Sequence, residues 1–252
     1  ILIITNFFFF FLKLARDCKV LNQTEDGIIV IEKGPGILTH PNQGKSKSAK
    51  GRSPCLLNND YNYDGEFYEI SDKAKLYLTH RLDSPTSGII IATTRKDLAQ
   101  EIKGKFKRKE IEKTYHAIVS VPGRLKPGPW NDLLEEKRVR GKLRVFPGKG
   151  IPSKSICFIE RNPTKVHRLA LIKLHPKTGR THQLRVQTSC RNIPIVGDKT
   201  YGDFSMNRKI IKTTQVERLC LHASAISFRI KQRKILFESN LPGEFETLLS
   251  LP

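Results

Sequence analysis

Short apolar runs rich in Ile, Val and Leu recur along the chain, separated by stretches that contain Gly, Pro, Asn or Lys. Runs of this length between turn-forming residues are typical of β-strands, either fully buried or with one face exposed. Strands are therefore predicted at residues 27–32, 89–93, 113–119, 156–160, 168–174, 219–228 and 234–238.

One segment follows a helical period instead. Between residues 96 and 107, Leu98, Ala99, Ile102 and Phe106 fall on one face, while Lys and Arg cover the other. This spacing predicts an amphipathic helix that packs its apolar face against the sheet.

The remaining segments are shorter or more polar. A short helix is predicted after the turn at residues 175–180, with Thr181 as its N-cap, and a terminal helix at residues 243–249. Residues 42–63 are polar and are predicted to form a mobile surface connection. The basic, Gly- and Pro-rich residues 125–151 predict a hairpin or a long loop.

Strands dominate, and the helices do not alternate with them in strict βαβ order. This favours an α+β fold with a mixed, largely antiparallel sheet. The length of 252 residues fits one domain, which we assign to residues 19–252. The apolar residues 1–18 are treated as an N-terminal extension; their apolar run is shorter than the roughly 20 residues that span a bilayer, so no membrane partner is expected.

The net charge of the chain indicates what kind of molecule it binds. The chain carries 45 Lys and Arg against 24 Asp and Glu, a formal net charge of +21. A positive field of this size attracts polyanions such as nucleic acid. Motifs for nucleotide, dinucleotide and catalytic zinc sites are absent from the sequence, so we expect no cofactor and no metal. The five cysteines form no C-x-x-C pair, which favours reduced thiols and a cytoplasmic location.

The first candidate segment is HRLDSPTSG at residues 80–88. Arg81 would favour the ionised form of the Asp83 carboxylate. Pro85 and Gly88 would fix a tight turn that holds this carboxylate at a strand entrance. From these residues alone, an Asp that only accepts hydrogen bonds from the N–H groups of a turn is an equally good interpretation.

The second candidate segment is KTYHA at residues 113–117. The ring of Tyr115 could stack on a base, and its hydroxyl could transfer a proton. Taken alone, a half-buried tyrosine of a strand is the simpler interpretation.

The third candidate segment is HPKTGRTHQLR at residues 175–185. Arg180, Thr181 and the free N–H groups of a helix start could bind phosphate. Arg185 lies about one turn further on and could point into a cleft to pair with a carboxylate. The alternative is a solvated basic helix end.

Four segments in this order, HRLDSPTSG, KTYHAIV, LHPKTGRTHQLRV and IPIVGDKTYG, resemble the signature segments of the RluA-type pseudouridine synthases. Members of that family isomerise uridine to pseudouridine in ribosomal or transfer RNA. The early IIVIEKGPGILTHP is similar to the family's opening strand and loop, with Gly34 where Pro is common. The resemblance covers residues 19–249. It implies a central cleft flanked by helices and loops, an RNA partner and no cofactor.

The resemblance implies a role for each matching residue. Asp83 matches the catalytic aspartate that acts at the glycosidic bond, and Arg185 the basic residue that pairs with it. Tyr115 matches the tyrosine that packs on the uracil and takes part in proton transfer. Arg81 matches an arginine that enters the RNA stack where the target base leaves, and Leu184 an apolar residue that lines the pocket.

Three further residues of the same motif, Arg180, Thr181 and His182, are assigned to positioning and RNA contact. The leading hypothesis is an RNA pseudouridine synthase that works as a monomer on a flipped uridine. The alternatives are a non-catalytic RNA-binding or ribosome-assembly factor on the same fold, and a base-excising glycosylase, which has no motif support. The Pro85-Thr86 variant and the apparent lack of an S4-type RNA-binding module favour tRNA over rRNA as the substrate.

Overall fold

The computed structural model describes residues 12–42 and 54–251. Within these ranges the chain forms thirteen strands and four helices. The strands are β1 Lys19–Gln23, β2 Ile28–Lys33, β3 Tyr61–Asn62, β4 Phe67–Ser71, β5 Ala74–Leu78, β6 Ser87–Thr93, β7 Glu112–Ser120, β8 Gly128–Val139, β9 Lys142–Pro147, β10 Ile151–Arg161, β11 Leu169–Pro176, β12 Leu221–Ile230 and β13 Arg233–Glu238. The helices are α1 Lys96–Arg108, α2 Gln183–Cys190, α3 Phe204–Thr214 and α4 Gly243–Leu249.

The strands join into one sheet. Its main path runs β3-β4-β5-β6-β12-β7-β11-β10-β8-β9, with β2 paired to β6, β1 to β2 and β13 to β12. The pair β6–β12 is parallel, with His222 opposite Ser87 and Ala223 opposite Gly88. The other strand pairs of the described chain are antiparallel. The predicted α+β fold with a mixed, largely antiparallel sheet is confirmed.

The pairing of β6 with its three neighbours leaves a gap in the sheet between β5 and β12. Strand β2 pairs with β6 from Gly88 to Thr93. Strand β5 pairs at one end, at Ala92 and Thr93, and β12 at the other, at Ser87 and Gly88. A strand has two edges, so β5 and β12 share the edge opposite β2. The chain between β5 and β6, residues 79–86, therefore emerges at the gap between β5 and β12.

Strand β2 packs on both of its faces, as expected for a continuous apolar run. Ile28 and Val30 contact the apolar face of α1, while Ile29 and Ile31 belong to a separate cluster on the other side of the sheet. A third cluster surrounds β7, β11 and α4. Tyr115 contacts the second and third of these clusters, so it lies where two parts of the core meet.

Helix α1 agrees with its prediction, because Leu98, Ala99 and Ile102 are buried. Of the two structures predicted for residues 125–151, a hairpin or a long loop, the chain forms the hairpin, from β8 and β9. Helix α3 was not predicted. It buries Asn207 and Ile210, and its sequence has an amphipathic spacing that was overlooked. Its start is fixed by the Asp203 side chain, which accepts from two backbone N–H groups.

Two predicted segments lie partly outside the described residues, which exclude 1–11 and 43–53. Of the proposed N-terminal extension, Leu12 and Leu14 contact the apolar cluster around Leu57. Leu56 and Leu57 are fully buried. The prediction of a mobile surface connection is therefore wrong for this part of residues 42–63, because these two leucines close the core beside β4 and β5.

Candidate active site

The three candidate segments of the sequence converge on one open cleft of about 990 Å³. The chain between β5 and β6 forms one wall, β7 lies at the base, and the loop from β11 to α2 forms the opposite wall. Asp83, Tyr115, Leu184 and Arg185 line the cleft, together with Arg81, Arg180 and His182.

Asp83 sits on a turn held by its neighbours. The Thr86 N–H donates to the Asp83 carbonyl, 3.0 Å away. Leu82 is clamped by the Thr39 hydroxyl, which donates to the Leu82 carbonyl (3.0 Å) and accepts from the Leu82 N–H (3.1 Å). His80 is held too, because its Nε2 accepts from the Ile91 N–H at 3.0 Å. The turn is therefore pinned on both sides of Asp83.

Lys33 supports the turn from below. Its side chain is fully buried, and its Nζ donates to the carbonyls of Gly34 (2.9 Å), Ile37 (2.8 Å) and Ser84 (3.0 Å). Burial lowers the pKa of Lys33 to about 7, and the charge of nearby Asp83 acts in the opposite direction. The three carbonyls use all three protons of an ammonium group, so the geometry fits the charged form.

The Asp83 side chain faces two basic residues without being locked by them. Its Oδ2 is 3.7 Å from Arg185 Nη1 and 3.9 Å from His182 Nε2. Both distances exceed hydrogen-bond length, and the Asp83 side chain is about 25% exposed. The carboxylate is therefore held in a positive field while it remains accessible from the cleft.

Arg185 has a tighter partner than the one predicted. Its Nε and Nη2 donate to the two carboxylate oxygens of Asp198, both at 2.8 Å. Burial would lower the pKa of the guanidinium, but the hydrogen bonds and charge of Asp198 outweigh it and raise the pKa. Arg185 lies within ion-pair distance of Asp83, as the resemblance implied, but its Nε and Nη2 are committed to Asp198 and only Nη1 is left to face Asp83.

Asp198 is itself fixed by the backbone. Its Oδ1 accepts from the N–H groups of Thr200 (2.8 Å) and Tyr201 (3.0 Å). Burial would raise the pKa of Asp198, but Arg185 and these N–H groups lower it. The result is a rigid ion pair that orients Arg185 toward the cleft.

Tyr115 lies on β7, opposite Leu174 on β11 and Ala223 on β12. It is half-buried and lines the cleft. Burial, with a further contribution from the negative charge of Asp83, raises the pKa of its phenol. At neutral pH the hydroxyl is therefore protonated and can donate, while the ring offers a flat apolar surface.

The other predicted residues occupy the rim and the wall of the cleft. Leu184 is buried and belongs to the core cluster around β7. Arg81 is exposed at the rim, as is Arg180, whose Nε donates to the Pro152 carbonyl at 3.5 Å. The structure brings every residue predicted for the site except Thr181 to the lining of one cleft. Thr181 is half-buried between Arg180 and His182 and does not line it.

Thr181 does not cap α2, contrary to the prediction. The N-cap is His182, in a left-handed conformation with φ of 51°, and no side chain caps the helix. The loop is held instead by Gln183, whose Oε1 accepts from the Arg180 N–H (3.1 Å) and the Thr178 hydroxyl (2.7 Å). A capping pattern in the sequence could not show that a buried glutamine would organise this loop.

His182 joins the site to a second tyrosine. Its Nδ1 is 2.8 Å from the Tyr201 hydroxyl, and that hydroxyl also accepts from the Val145 N–H at 2.9 Å. Burial lowers the pKa of His182, although the charge of Asp83 acts against this, and the net shift favours the neutral ring.

Sequence reasoning did not assign roles to Lys33, Asp198 or Tyr201. Signals for two of them were present, since Asp198 and Tyr201 belong to the quoted segment IPIVGDKTYG. Lys33 stands in the Gly/Pro loop after the first predicted strand, where an exposed lysine is the ordinary expectation.

Within residues 12–42 and 54–251, no group of three or more His, Cys, Asp or Glu side chains is arranged to hold a metal ion. In the same ranges, no helix is long and apolar enough to cross a membrane.

Comparison with known proteins points to one family. The family model described as RNA pseudouridylate synthase matches residues 27–189. The chain is 33% identical over 184 residues to tRNA pseudouridine synthase C of Vibrio cholerae, an alignment that covers 68% of this chain and 75% of that protein. It is 33% identical over 186 residues to ribosomal large subunit pseudouridine synthase C of Buchnera aphidicola, covering 69% of this chain but only 56% of the relative.

A solved structure shares the fold. The human protein named RNA pseudouridylate synthase domain containing 4 superposes with a TM-score of 0.66 at 22% sequence identity, over 91% of each chain. At this identity the similarity establishes a shared fold.

Proposed function

The chain belongs to the RNA pseudouridylate synthase family, isomerases that convert uridine to pseudouridine in RNA, and we propose that Asp83 is its catalytic residue. The resemblance predicted from the four motifs is thereby confirmed at the level of the family. The roles of individual residues and the identity of the RNA are part of the proposal.

The observation that carries the proposal is the setting of Asp83. It is a partly exposed carboxylate on a turn pinned by Thr39 and Lys33, and it faces Arg185 Nη1 at 3.7 Å in an open cleft. A carboxylate that only stabilised its turn would bond to local N–H groups instead of projecting toward the opposite wall.

The reaction requires only side-chain chemistry. The bond between ribose C1′ and uracil N1 breaks, a bond between C1′ and C5 forms, and the proton at C5 leaves while N1 gains one. Asp83 starts the reaction by adding to the base, adding to C1′ or removing the proton at C2′. The protonated Tyr115 phenol offers a flat surface for the uracil and a group for proton transfer.

The target uridine must leave its stack to reach Asp83, at a cost of about a few kcal/mol. Exposed Arg81 at the rim is suited to fill the space left in the RNA, and Arg180 and other basic residues to bind the phosphates. The net charge of +21 supports this assignment, because phosphate contacts supply much of the affinity for RNA.

We further propose a structured tRNA or rRNA as substrate, with tRNA favoured, and a monomer in the cytoplasm. The names of the relatives include both RNA classes. The high positive charge disfavours self-association, and Cys18, Cys157, Cys190 and Cys220 are free thiols.

The test uses total RNA from a strain that lacks the protein. The purified protein is incubated with this RNA, and pseudouridines are mapped by carbodiimide treatment and primer extension. We expect new stops with the wild-type protein and none with Asp83→Asn, which should still bind RNA. Asp64→Asn, at an exposed aspartate outside the cleft, is the matched control and should retain activity.

The outcome also separates the alternative functions. Wild-type protein that binds RNA but forms no pseudouridine on any RNA class would favour the non-catalytic assembly factor. Activity that survives in Asp83→Asn would remove Asp83 from the mechanism while leaving the family assignment intact.

A further inference from the structure

A chain of polar contacts runs from the β8–β9 hairpin to the catalytic carboxylate. The Val145 N–H, on β9, donates to the Tyr201 hydroxyl at 2.9 Å. That hydroxyl lies 2.8 Å from His182 Nδ1, and His182 Nε2 lies 3.9 Å from Asp83 Oδ2. The two nitrogens of one imidazole therefore face Tyr201 and Asp83, respectively.

The direction of these hydrogen bonds follows from which atoms carry a proton to donate. A backbone N–H can only donate, so the Tyr201 oxygen accepts from Val145. If the Tyr201 hydroxyl donates its own proton to Nδ1, the neutral His182 ring carries its proton on Nε2, where it faces the Asp83 carboxylate. The other tautomer would point an imidazole lone pair at a carboxylate, which is a repulsive arrangement.

We propose that Tyr201 is a positioning residue that sets the tautomer of His182 and so presents an Nε2–H group to Asp83. This inference rests on the proposed function and adds a residue to its machinery. Tyr201 is suited to the role because it is fixed from several sides. Its N–H donates to Asp198, and the Arg185 guanidinium lies 5.1 Å from its ring centroid.

The same contact connects the site to a hairpin with an exposed basic tip. The hairpin exposes Arg138, Arg140 and Lys142 near its tip, while Val145 near its base is buried. RNA phosphates held by the tip would restrain the backbone that donates to Tyr201. Tyr201 thereby couples the seating of RNA on the hairpin to the arrangement of His182 and Asp83.

His182 responds to charges from every element packed around it. The groups that act on its pKa, apart from burial, are Asp83, Arg185, Asp198 and Arg144. The two carboxylates favour the imidazolium, and the two guanidinium groups and burial oppose it. A proton donated to Nδ1 by Tyr201 further favours the neutral ring, so its loss should raise the pKa of His182.

The central variant is Tyr201→Phe, which removes one oxygen and keeps the ring. Tyr77→Phe, at a half-buried tyrosine outside the cleft, is the matched control. RNA labelled with tritium at C5 of uridine, taken from a strain that lacks the protein, reports turnover by tritium release under single-turnover conditions. We expect Tyr201→Phe to lower the rate about tenfold, the equivalent of one lost hydrogen bond, with little change in RNA affinity.

The pH profile distinguishes positioning from a purely structural effect. Without the Tyr201 hydroxyl, Nδ1 can take up a proton, and the imidazolium would pair with Asp83 and compete with the reaction. The acid limb of the rate profile should therefore move to higher pH in Tyr201→Phe and stay in place in Tyr77→Phe. An unchanged acid limb would overturn the proposal.

A double-mutant cycle tests the route through His182. His182→Asn suits the left-handed backbone at this position, because Asn tolerates a positive φ. If Tyr201 acts through His182, adding Tyr201→Phe to His182→Asn should lower the rate no further. Independent, multiplicative losses would contradict that route.

A readout without turnover keeps this inference separate from the proposed function. Long-range ¹H–¹⁵N NMR spectra distinguish the two neutral tautomers of histidine. We expect the Nε2–H form for His182 in the wild-type protein and a mixture in Tyr201→Phe. The Nδ1–H form in the wild type would overturn the inference, whereas wild-type protein that shows the Nε2–H form without tritium release would count against the proposed function alone.

Discussion

The floor beneath Asp83 and the β8–β9 hairpin both contact residues next to the site, the floor through the Ser84 carbonyl and the hairpin through the Tyr201 hydroxyl, but they are built by opposite rules. We define the floor as Lys33, Ser87, Gly88 and His222, which are buried. Ser87 Oγ lies 2.8 Å from His222 Nδ1, and His222 Nε2 lies 2.9 Å from Ser239 Oγ. In the described chain, every buried side-chain nitrogen and oxygen has a partner.

The outer part of the hairpin has few such constraints. Most residues from Lys137 to Arg144 are exposed. The buried apolar residues lie nearer the base, where Trp130 joins the core cluster around β7 and Leu134 and Val145 pack with Val186 and Tyr201. Lys142 and its neighbours lie next to solvent. Residue identity in the floor is therefore set by space and hydrogen bonds, whereas in the hairpin it is set mainly by charge.

Glycine substitutions should give the largest difference in unfolding free energy between the floor and the hairpin. Gly88 has a φ of 118°, and a Cβ there would lie 2.2 Å from the Ala223 carbonyl oxygen. Gly141, at the hairpin tip, has a φ of 73° with no heavy atom within 4 Å of a Cβ. We expect Gly88→Ala to lower the free energy of unfolding by about 4 kcal/mol through strain and overpacking, and Gly141→Ala by about 1 kcal/mol through strain alone.

Urea denaturation of the two variants measures this difference. Equal losses would show that the close approach of β6 and β12 at Gly88 relaxes easily. In that case the floor would be as tolerant as the hairpin.

Lysine substitutions should give a smaller difference in unfolding free energy between the floor and the hairpin, and the floor variant should also lose turnover. Lys33→Met removes the donor to three buried carbonyls and should cost about 3 kcal/mol in unfolding free energy. Turnover should fall as well, because one of those carbonyls belongs to Ser84, next to Asp83. Lys142→Met should change the unfolding free energy by no more than about 0.5 kcal/mol.

Thermal melts and tritium release on the same two variants test this prediction. A Lys33→Met protein with wild-type stability and turnover would show that the buried ammonium does not hold the turn.

Charge removal from the hairpin should have the smallest effect on stability. Replacing Arg138, Arg140 and Lys142 by Gln should change the unfolding free energy by about 0.5 kcal/mol or less per site. The effect should appear in RNA affinity instead. Each lost phosphate contact should reduce the slope of log K against log salt by about 0.7 to 0.9.

The matched control replaces Lys231, Arg233 and Lys234, which are exposed at the turn between β12 and β13, outside the cleft. Their loss should leave most of the salt slope unchanged. Equal effects of the two triple variants would mean that RNA is attracted by net charge and not by the hairpin in particular.

Much of the secondary structure could be predicted because its signals are local. The apolar run of β2, the amphipathic face of α1 and the limits of α4 follow from neighbouring residues. The convergence of Asp83, Tyr115 and Arg185 on one cleft was implied only through family resemblance, because these residues are separated by long stretches of chain. The cap of α2 was missed because a buried glutamine, not a capping side chain, organises that loop, whereas α3 was overlooked although its amphipathic spacing is present in the sequence.

The amino-acid sequence by itself determined the strand-rich fold class, the positive field and the set of residues that could carry the chemistry, because composition and local periodicity are independent of distant contacts. Only the tertiary structure decided which partner each of them has. Arg185 directs its fork to Asp198 and leaves one nitrogen for Asp83, and Lys33 reaches the Ser84 carbonyl across 51 positions of chain. A charged or polar side chain bonds to whichever group the packed sheet brings within about 3 Å, and that distance is set by the fold.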